Sequence, residues 1–363
     1  MKITDIIVHR LAIPFDRNTV PSTWPEADLP QVIVEVCTDE GVKGYGEAFS
    51  LGLGLASTVT TIIEQMLKPL LIGADPRAIS HLQQLMFKET HIVGRYGAIV
   101  SAISGIDIAL WDLAGKLANQ PLCYLLGGTQ SEHLPVYTSL FNYEDPDELR
   151  TTLHRALSTG TSAVKLHQTD VGSVRIARET IGPDIGLMVD VNCPWTPAKA
   201  KQMALEMKEY NLSWLEEPIW PPEDFKSLAR LRQETGVPIA LGENAYTVYQ
   251  YKAMLDAGAG DIIQPSVAKL GGVTEWLKVA SLCQAYNICL APHSFYFGPG
   301  FLATAHLVAS TPGCELLERM FAQPEASVYK EPLQFVDGGL QLPNGPGLGL
   351  EIDENILKEY AVS

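Results

Sequence analysis

The sequence predicts an α/β protein in which an α+β portion precedes a parallel (β/α) barrel. Three observations lead there. After residue 128, short apolar runs alternate with amphipathic stretches at about the spacing of one βα unit. Eight such runs occur, near 134–138, 162–167, 186–191, 212–216, 237–242, 260–264, 287–291 and 314–318, the number that closes a barrel. Polar residues recur at the C-terminal end of run after run, and no glycine-rich phosphate loop follows any of them, which argues against a doubly wound sheet.

Ahead of the barrel, Ile3 to Ala12 and Gln31 to Thr38 alternate as strands do, with Asp39-Glu40-Gly41 as a hairpin-type turn. Helical stretches follow at about 57–70 and 97–117, and Gly127-Gly128 closes this part. Residues 1–128 therefore read as one unit and 129–329 as the barrel. Residues 330–363, strand-like and punctuated by Gly338-Gly339 and Asn344-Gly345-Pro346-Gly347, read as a segment packing back on the first unit.

The composition suits a globular enzyme with a large core: 46% of the 363 residues are hydrophobic and 19% charged. The formal net charge is −16 and no Lys/Arg-rich run occurs, so a nucleic-acid surface is not expected. No uninterrupted apolar run reaches the roughly 20 residues of a spanning helix, and the first residues lack a signal-peptide pattern. The six cysteines form no C-x-x-C pair and read as buried free thiols in a reducing, cytoplasmic setting.

In a parallel barrel the chemistry sits at the C-terminal strand ends. The second strand ends in Lys165-Leu166-His167, and alternation puts Lys165 and His167 on one face. The third ends in Asp190-Val191-Asn192, the fourth in Glu216-Glu217-Pro218, the fifth in Gly242-Glu243-Asn244, the seventh in Pro292-His293 and the eighth in Glu318. Taken singly, a strand-end carboxylate is most often solvated or capping a helix. Three in register are different. Asp190, Glu216 and Glu243 left together would force at least one to stay protonated, a conflict that a hard divalent cation resolves. All-oxygen ligation favours Mg²⁺, or Mn²⁺, over zinc. A cation holding a substrate carboxylate stabilises the charge that appears when the α-proton leaves. Lys165 and His167 then stand on one side as candidate bases, the lysine with a lowered pKa, and His293 stands on the other. Glu217 should point away from Glu216 and serve a supporting role. Tyr137 and Trp195 could line the pocket or merely pack.

With Gln264-Pro265, Gly271-Gly272, the N-terminal Gly44-Tyr45-Gly46-Glu47 turn, Ala109-Leu110-Trp111-Asp112 and Gly345-Pro346-Gly347-Leu348-Gly349, these motifs resemble the mandelate racemase and muconate lactonizing branch of the enolase superfamily over essentially the whole chain. The resemblance implies a modified (β/α)7β TIM-like barrel with an N-terminal α+β capping domain, and Mg²⁺ on Asp190, Glu216 and Glu243. It also implies cap loops around 15–30 and 45–55 that close over the mouth. Asn192, Glu318, Trp24 and Tyr137 are the expected substrate contacts, Glu318 as a protonated donor, and the 91–96 segment with Arg95 is a further candidate to reach the pocket. It implies a small-molecule carboxylate of the sugar-acid class as substrate, and a homo-oligomer. Two departures stand out: Lys-x-His replaces the family's frequent Lys-x-Lys, and Ser266 replaces the sixth-strand aspartate that partners the histidine in racemase-like members. An asymmetric base and acid fit dehydration of a sugar acid to a 2-keto-3-deoxy acid better than racemisation. A racemase, epimerase or cycloisomerase is the alternative.

Overall fold

The structure, a computed structural model, describes residues 1–23, 29–129 and 131–362. Strand β1 (Ile3–Ile13) pairs antiparallel with β2 (Leu29–Thr38), and β3 (Lys43–Ala48) pairs with β2's other edge. The connection between β2 and β3 turns through Gly41 at φ +78°, a conformation open to glycine. The Gly44-Tyr45-Gly46-Glu47 segment, expected as a turn, is strand. Its glycines answer a packing need: a Cβ on Gly46 would sit 2.0 Å from the Gly105 carbonyl oxygen, and one on Gly44 2.1 Å from that of Ala109. Both carbonyls belong to the helix Ala98–Ala118, which lies directly across β3.

That helix is long and apolar enough, by length and composition alone, to cross a membrane. Asp107, Asp112 and Lys116 interrupt its sequence, which is why no continuous apolar run shows. Some 78% of its most apolar window is buried inside the protein, so it is a core helix. Its carboxylates serve the fold. Asp107 accepts from the Thr274 amide (2.9 Å) and hydroxyl (2.7 Å) in the first turn of the barrel helix Gly272–Tyr286. Asp112 accepts from the amides of Tyr45 and Leu348 (2.8 Å each) and from Lys116. In the same manner Glu47 on β3 accepts from the Gly300 amide (2.8 Å), opening the barrel helix Pro299–Ser310. Buried carboxylates suit helix N-termini, where amides are unpaired and the dipole is positive.

The barrel strands are β4 (His133–Ser139), β5 (Ala163–Leu166), β6 (Gly186–Asp190), β7 (Trp214–Glu216), β8 (Ile239–Leu241), β9 (Ile262–Ile263), β10 (Cys289–Leu290) and β11 (Leu317–Met320). They pair in parallel in chain order, β11 returns to β4, and a Leu290–Cys314 bridge closes the ring between β10 and β11. A helix or helix pair follows each of the first seven, giving (β/α)7β. The eighth strand lies about three residues later than expected, because a turn at Thr311–Gly313 leaves Cys314 only that single bridge. Tyr137, Ala163, Met188, Trp214, Ala240 and Ala291 fill the barrel floor, and the larger aliphatic core lies between strands and helices.

Residues 330–363 do not pack on the cap alone. Their hairpin, β12 (Gln334–Val336) and β13 (Gly339–Gln341), adds antiparallel to the start of β4, and only the later part reaches the cap, through a Leu11–Ala361 bridge. All six cysteines are free. Cys123, Cys283 and Cys314 are buried as expected, whereas Cys289 is exposed.

Candidate metal centre and flanking histidines

The parallel register carries the polar strand ends to one level. Ser139 pairs with Lys165, and Asp190 pairs with Glu216. Glu243 follows β8 after Gly242, whose φ of +123° bends the chain inward. One ligand oxygen each from Asp190, Glu216 and Glu243 lies within 4.8 Å of the others, and all three residues are buried. The expected triad is therefore assembled.

Lys165, fully buried, lies 2.9 Å from Glu216, 2.8 Å from Glu318 and 3.6 Å from Asp190. Burial opposes its charge, but Glu216 and Glu318 outweigh burial and hold the ammonium well above its usual pKa. The lowered pKa expected of a lysine base is thus not what this carboxylate nest produces. Glu318 also differs from expectation. Burial alone would raise its pKa, yet Lys165 and His293 bring it down to about 2, and its other oxygen accepts the Ser294 amide at 2.8 Å. It is an ionised ion-pair partner, where the resemblance implied a protonated donor. Glu216 goes the other way: burial first, then the charge of Asp190, push its carboxyl well above the usual range.

The two histidines sit on opposite sides. His167 places Nδ1 on the Leu140 carbonyl oxygen, which can only accept, so that nitrogen is assigned the proton and Nε2, 3.3 Å from Asp190, is left with a lone pair when the ring is neutral. Burial opposes the imidazolium, but Asp190 outweighs it and raises the pKa. His293 places Nε2 3.3 Å from Glu243 and Nδ1 3.0 Å from the Ser266 hydroxyl, and burial lowers its pKa.

Several residues join the site without having been singled out. The Asn244 amide group donates to Glu243 (2.8 Å) and Glu217 (2.6 Å) and accepts from Lys269 (2.8 Å), so Glu217 supports Glu243 through Asn244. Lys269 in turn lies over the Phe49 ring at 4.6 Å. The cap loop near 45–55 therefore reaches the site through Phe49, whose amide also bonds the Ala268 carbonyl. Asn244 directly follows Glu243, a clue that was available; nothing in the local pattern marked Phe49.

Other expectations fare differently. Asn192 is exposed at the mouth with φ +51°, and its amide holds Asp190 at 2.9 Å. Tyr137 is not a mouth residue. It lies one pleat below Ser139, fully buried against Trp214 and beneath Lys165 in the barrel floor. Trp195 is likewise packed, bridging to Ile219. In the 91–96 segment it is Tyr96 that touches a barrel-top residue, Tyr246, while Arg95 lines a groove with Lys88 and Tyr249. Trp24 lies outside the described residues.

The residues present fit a hard divalent cation. The donors are all carboxylate oxygens, and Asp190 Oδ2 is buried with no well-formed hydrogen bond, its nearest nitrogens being His167 Nε2 at 3.3 Å and Lys165 Nζ at 3.6 Å, so that it keeps acceptor capacity for a cation. The raised pKa of Glu216 comes first from burial and then from the neighbouring charge of Asp190, and a cation among the three carboxylates would relieve both.

Comparison with known proteins agrees with this geometry. Residues 16–127 match the mandelate racemase/muconate lactonizing enzyme N-terminal domain, and residues 148–356 match the enolase C-terminal domain-like family. The chain belongs to the mandelate racemase/muconate lactonizing enzyme family of the enolase superfamily. It is 34% identical over 362 residues to a 3,6-anhydro-α-L-galactonate cycloisomerase of Streptomyces coelicolor, covering 98% of each chain. It is 33% identical over 347 residues to an arabinonate dehydratase of Saccharolobus solfataricus, covering 92% of each. A crystal structure of a Streptomyces coelicolor racemase with bound magnesium superposes with a TM-score of 0.88 at 32% identity, over 99% of this chain and 100% of that one. The protein is an enzyme, and its relatives include a cycloisomerase, a dehydratase and a racemase whose structure holds magnesium.

Proposed function

We propose that the protein dehydrates a sugar acid to a 2-keto-3-deoxy acid, with Asp190, Glu216 and Glu243 holding Mg²⁺, His167 as base and His293 as the donor opposite. The carrying observation is the contact of His167 Nδ1 with the Leu140 carbonyl oxygen, which can only accept, so that Nε2 is the nitrogen left free on the side of the triad. Mg²⁺, when bound, stabilises the charge the substrate carboxylate gains as the α-proton leaves.

His167 Nε2 takes the α-proton, and the C–H electron pair passes towards the carboxylate. The C3–O bond then breaks, and His293 Nε2 gives its proton to the departing oxygen, which leaves as water. Nδ1 takes the proton of Ser266 and Ser266 that of Tyr296, so that the ring stays neutral, and the enol tautomerises to the ketone. Lys165, charged and held by Glu216 and Glu318, keeps the carboxylates apart and offers its ammonium to a substrate carboxylate oxygen. Asn192 at the mouth faces the substrate's far end.

A second reading, internal elimination within a cyclic sugar acid, uses the same base and donor. The identity to a cycloisomerase supports it. Exposed Ile92, Val93 and Tyr249 support a homo-oligomer, and six free cysteines support a reducing cytoplasm.

The test is a screen of Mg²⁺-loaded protein against aldonic, aldaric and uronic acids for semicarbazide-reactive product, with proton NMR in deuterated water. A keto product lost on chelation and in His167→Ala is expected. Exchange of the α-proton with no loss of water across the library sinks the dehydration.

A further inference from the structure

Ser266 begins the short helix Val267–Leu270, in the position where a serine side chain ordinarily caps the helix amides. It makes no such bond. Its hydroxyl is turned instead to His293 Nδ1 at 3.0 Å, and to the hydroxyl of Tyr296, with which it forms a short hydrogen bond. The phenol is nearly fully buried, with its ring set edge-on against His293 (centroids 6.2 Å apart, 87°) and Phe49 (6.4 Å, 87°). Ser266 is the only hydrogen-bond partner of the Tyr296 hydroxyl among the described residues.

These two hydroxyls carry one proton each, and counting them decides the histidine tautomer. If Tyr296 donates to Ser266 and Ser266 donates to Nδ1, both protons are used and the neutral imidazole carries its own proton on Nε2. If Nδ1 carries the proton instead, one of the hydroxyl protons has no acceptor within the trio, and a buried polar group goes unsatisfied. A carboxylate at position 266 would demand the opposite, since it can only accept from Nδ1.

We infer that Tyr296 is a positioning residue which, through Ser266, holds His293 in the Nε2–H tautomer, so that its substrate-facing nitrogen is a donor and not a base. The inference rests on the proposed elimination and deepens it. His167 and His293 are set in opposite tautomers, one by a backbone carbonyl and one by a phenol–serine pair. Two matched bases, as racemisation needs, are thereby unavailable at rest.

The test reads the nitrogens directly. In Mg²⁺-loaded enzyme labelled with ¹⁵N-histidine, with His293 assigned by its loss in His293→Asn, Nδ1 should show the shift of an unprotonated ring nitrogen and Nε2 that of a protonated one. Tyr296→Phe keeps the ring and its packing but removes the proton donor, so an Nδ1–H population should appear. Ser266→Asp should move the proton to Nδ1 outright. In Tyr296→Phe, elimination should fall roughly ten- to hundredfold while α-proton exchange, served by His167, stays within about twofold. A protonated Nδ1 in the wild type, or an unchanged nitrogen pattern in Tyr296→Phe with thermal stability retained, overturns the inference. The nitrogen pattern needs no substrate, so the expected tautomer with no keto product from any acid would refute the dehydration alone.

Discussion

Replacing Lys165 by methionine removes the ammonium and keeps nearly the same apolar stem, which isolates what the charge does. That charge lies 2.8 Å from Glu318 and 2.9 Å from Glu216, all with little or no exposure. Glu216 is already pushed towards its neutral form, so the main orphan is Glu318, left with only the Ser294 amide. Removing one partner of a buried pair costs about 3–5 kcal/mol, because the other charge stays buried and unpaired. At about 2.1 cal/mol/K of unfolding entropy per residue, 363 residues give about 0.76 kcal/mol/K, so Tm should fall by about 4–7 °C. The assay is calorimetry of wild type, Lys165→Met, Glu318→Gln and the double variant in chelator at neutral pH. Neutralising Glu318 in the Lys165→Met background should restore most of the loss, with a coupling energy of about 2 kcal/mol or more. A single-variant loss under about 1 kcal/mol, or simple additivity in the double variant, would refute the account of Lys165 as the counter-charge of Glu318.

Gly46→Ala should cost roughly 1–3 kcal/mol or more in denaturant unfolding, since the new methyl meets the fixed Gly105 carbonyl. Gly54→Ala, in open space on a cap helix, should be neutral or slightly stabilising in the same titration. His306 is fully buried, between the Cys123 amide and the Leu348 carbonyl, and burial lowers its pKa to about 4. Its folded pKa lies below the unfolded 6.5, so its contribution is present above pH 6.5 and lost as pH falls towards 4. Wild type should lose about 3 kcal/mol relative to His306→Gln across that window in urea unfolding. Asp190→Asn should abolish calorimetric Mg²⁺ binding, whereas His167→Asn should keep it and lose about 10²–10⁴-fold in α-proton exchange measured by NMR.

The strand-end residues were legible because a period of two leaves little freedom. Once Lys165 faces inward, His167 does as well, and parallel pairing brings Asp190 beside Glu216. The same alternation places Tyr137 below the site, since it lies two residues before the inward-facing strand end at Ser139. Strand β3 was hidden by its glycines, which look like turn signals and in fact admit a helix. Asn244, Lys269 and Tyr296 all lie beyond strand ends, where no periodicity fixes direction. Their roles come from loop paths visible only in three dimensions. The charge states of Lys165 and Glu318 depended on a contact between the second and eighth strands, far apart in sequence.

The carboxylates of Glu47 and Asp107 give the cap a dependence on particular barrel neighbours. Each ends at the first turn of a barrel helix, and these two helices follow the strands that lead into Ser266 and His293. A chimaera that exchanged the first 128 residues for those of a relative would therefore have to match two helix beginnings, or carry them along. Grafting a new substrate lid onto this barrel is in that sense a three-piece operation. A library of hybrids should keep its folded members where residues 1–128, 272–286 and 299–310 come from one parent.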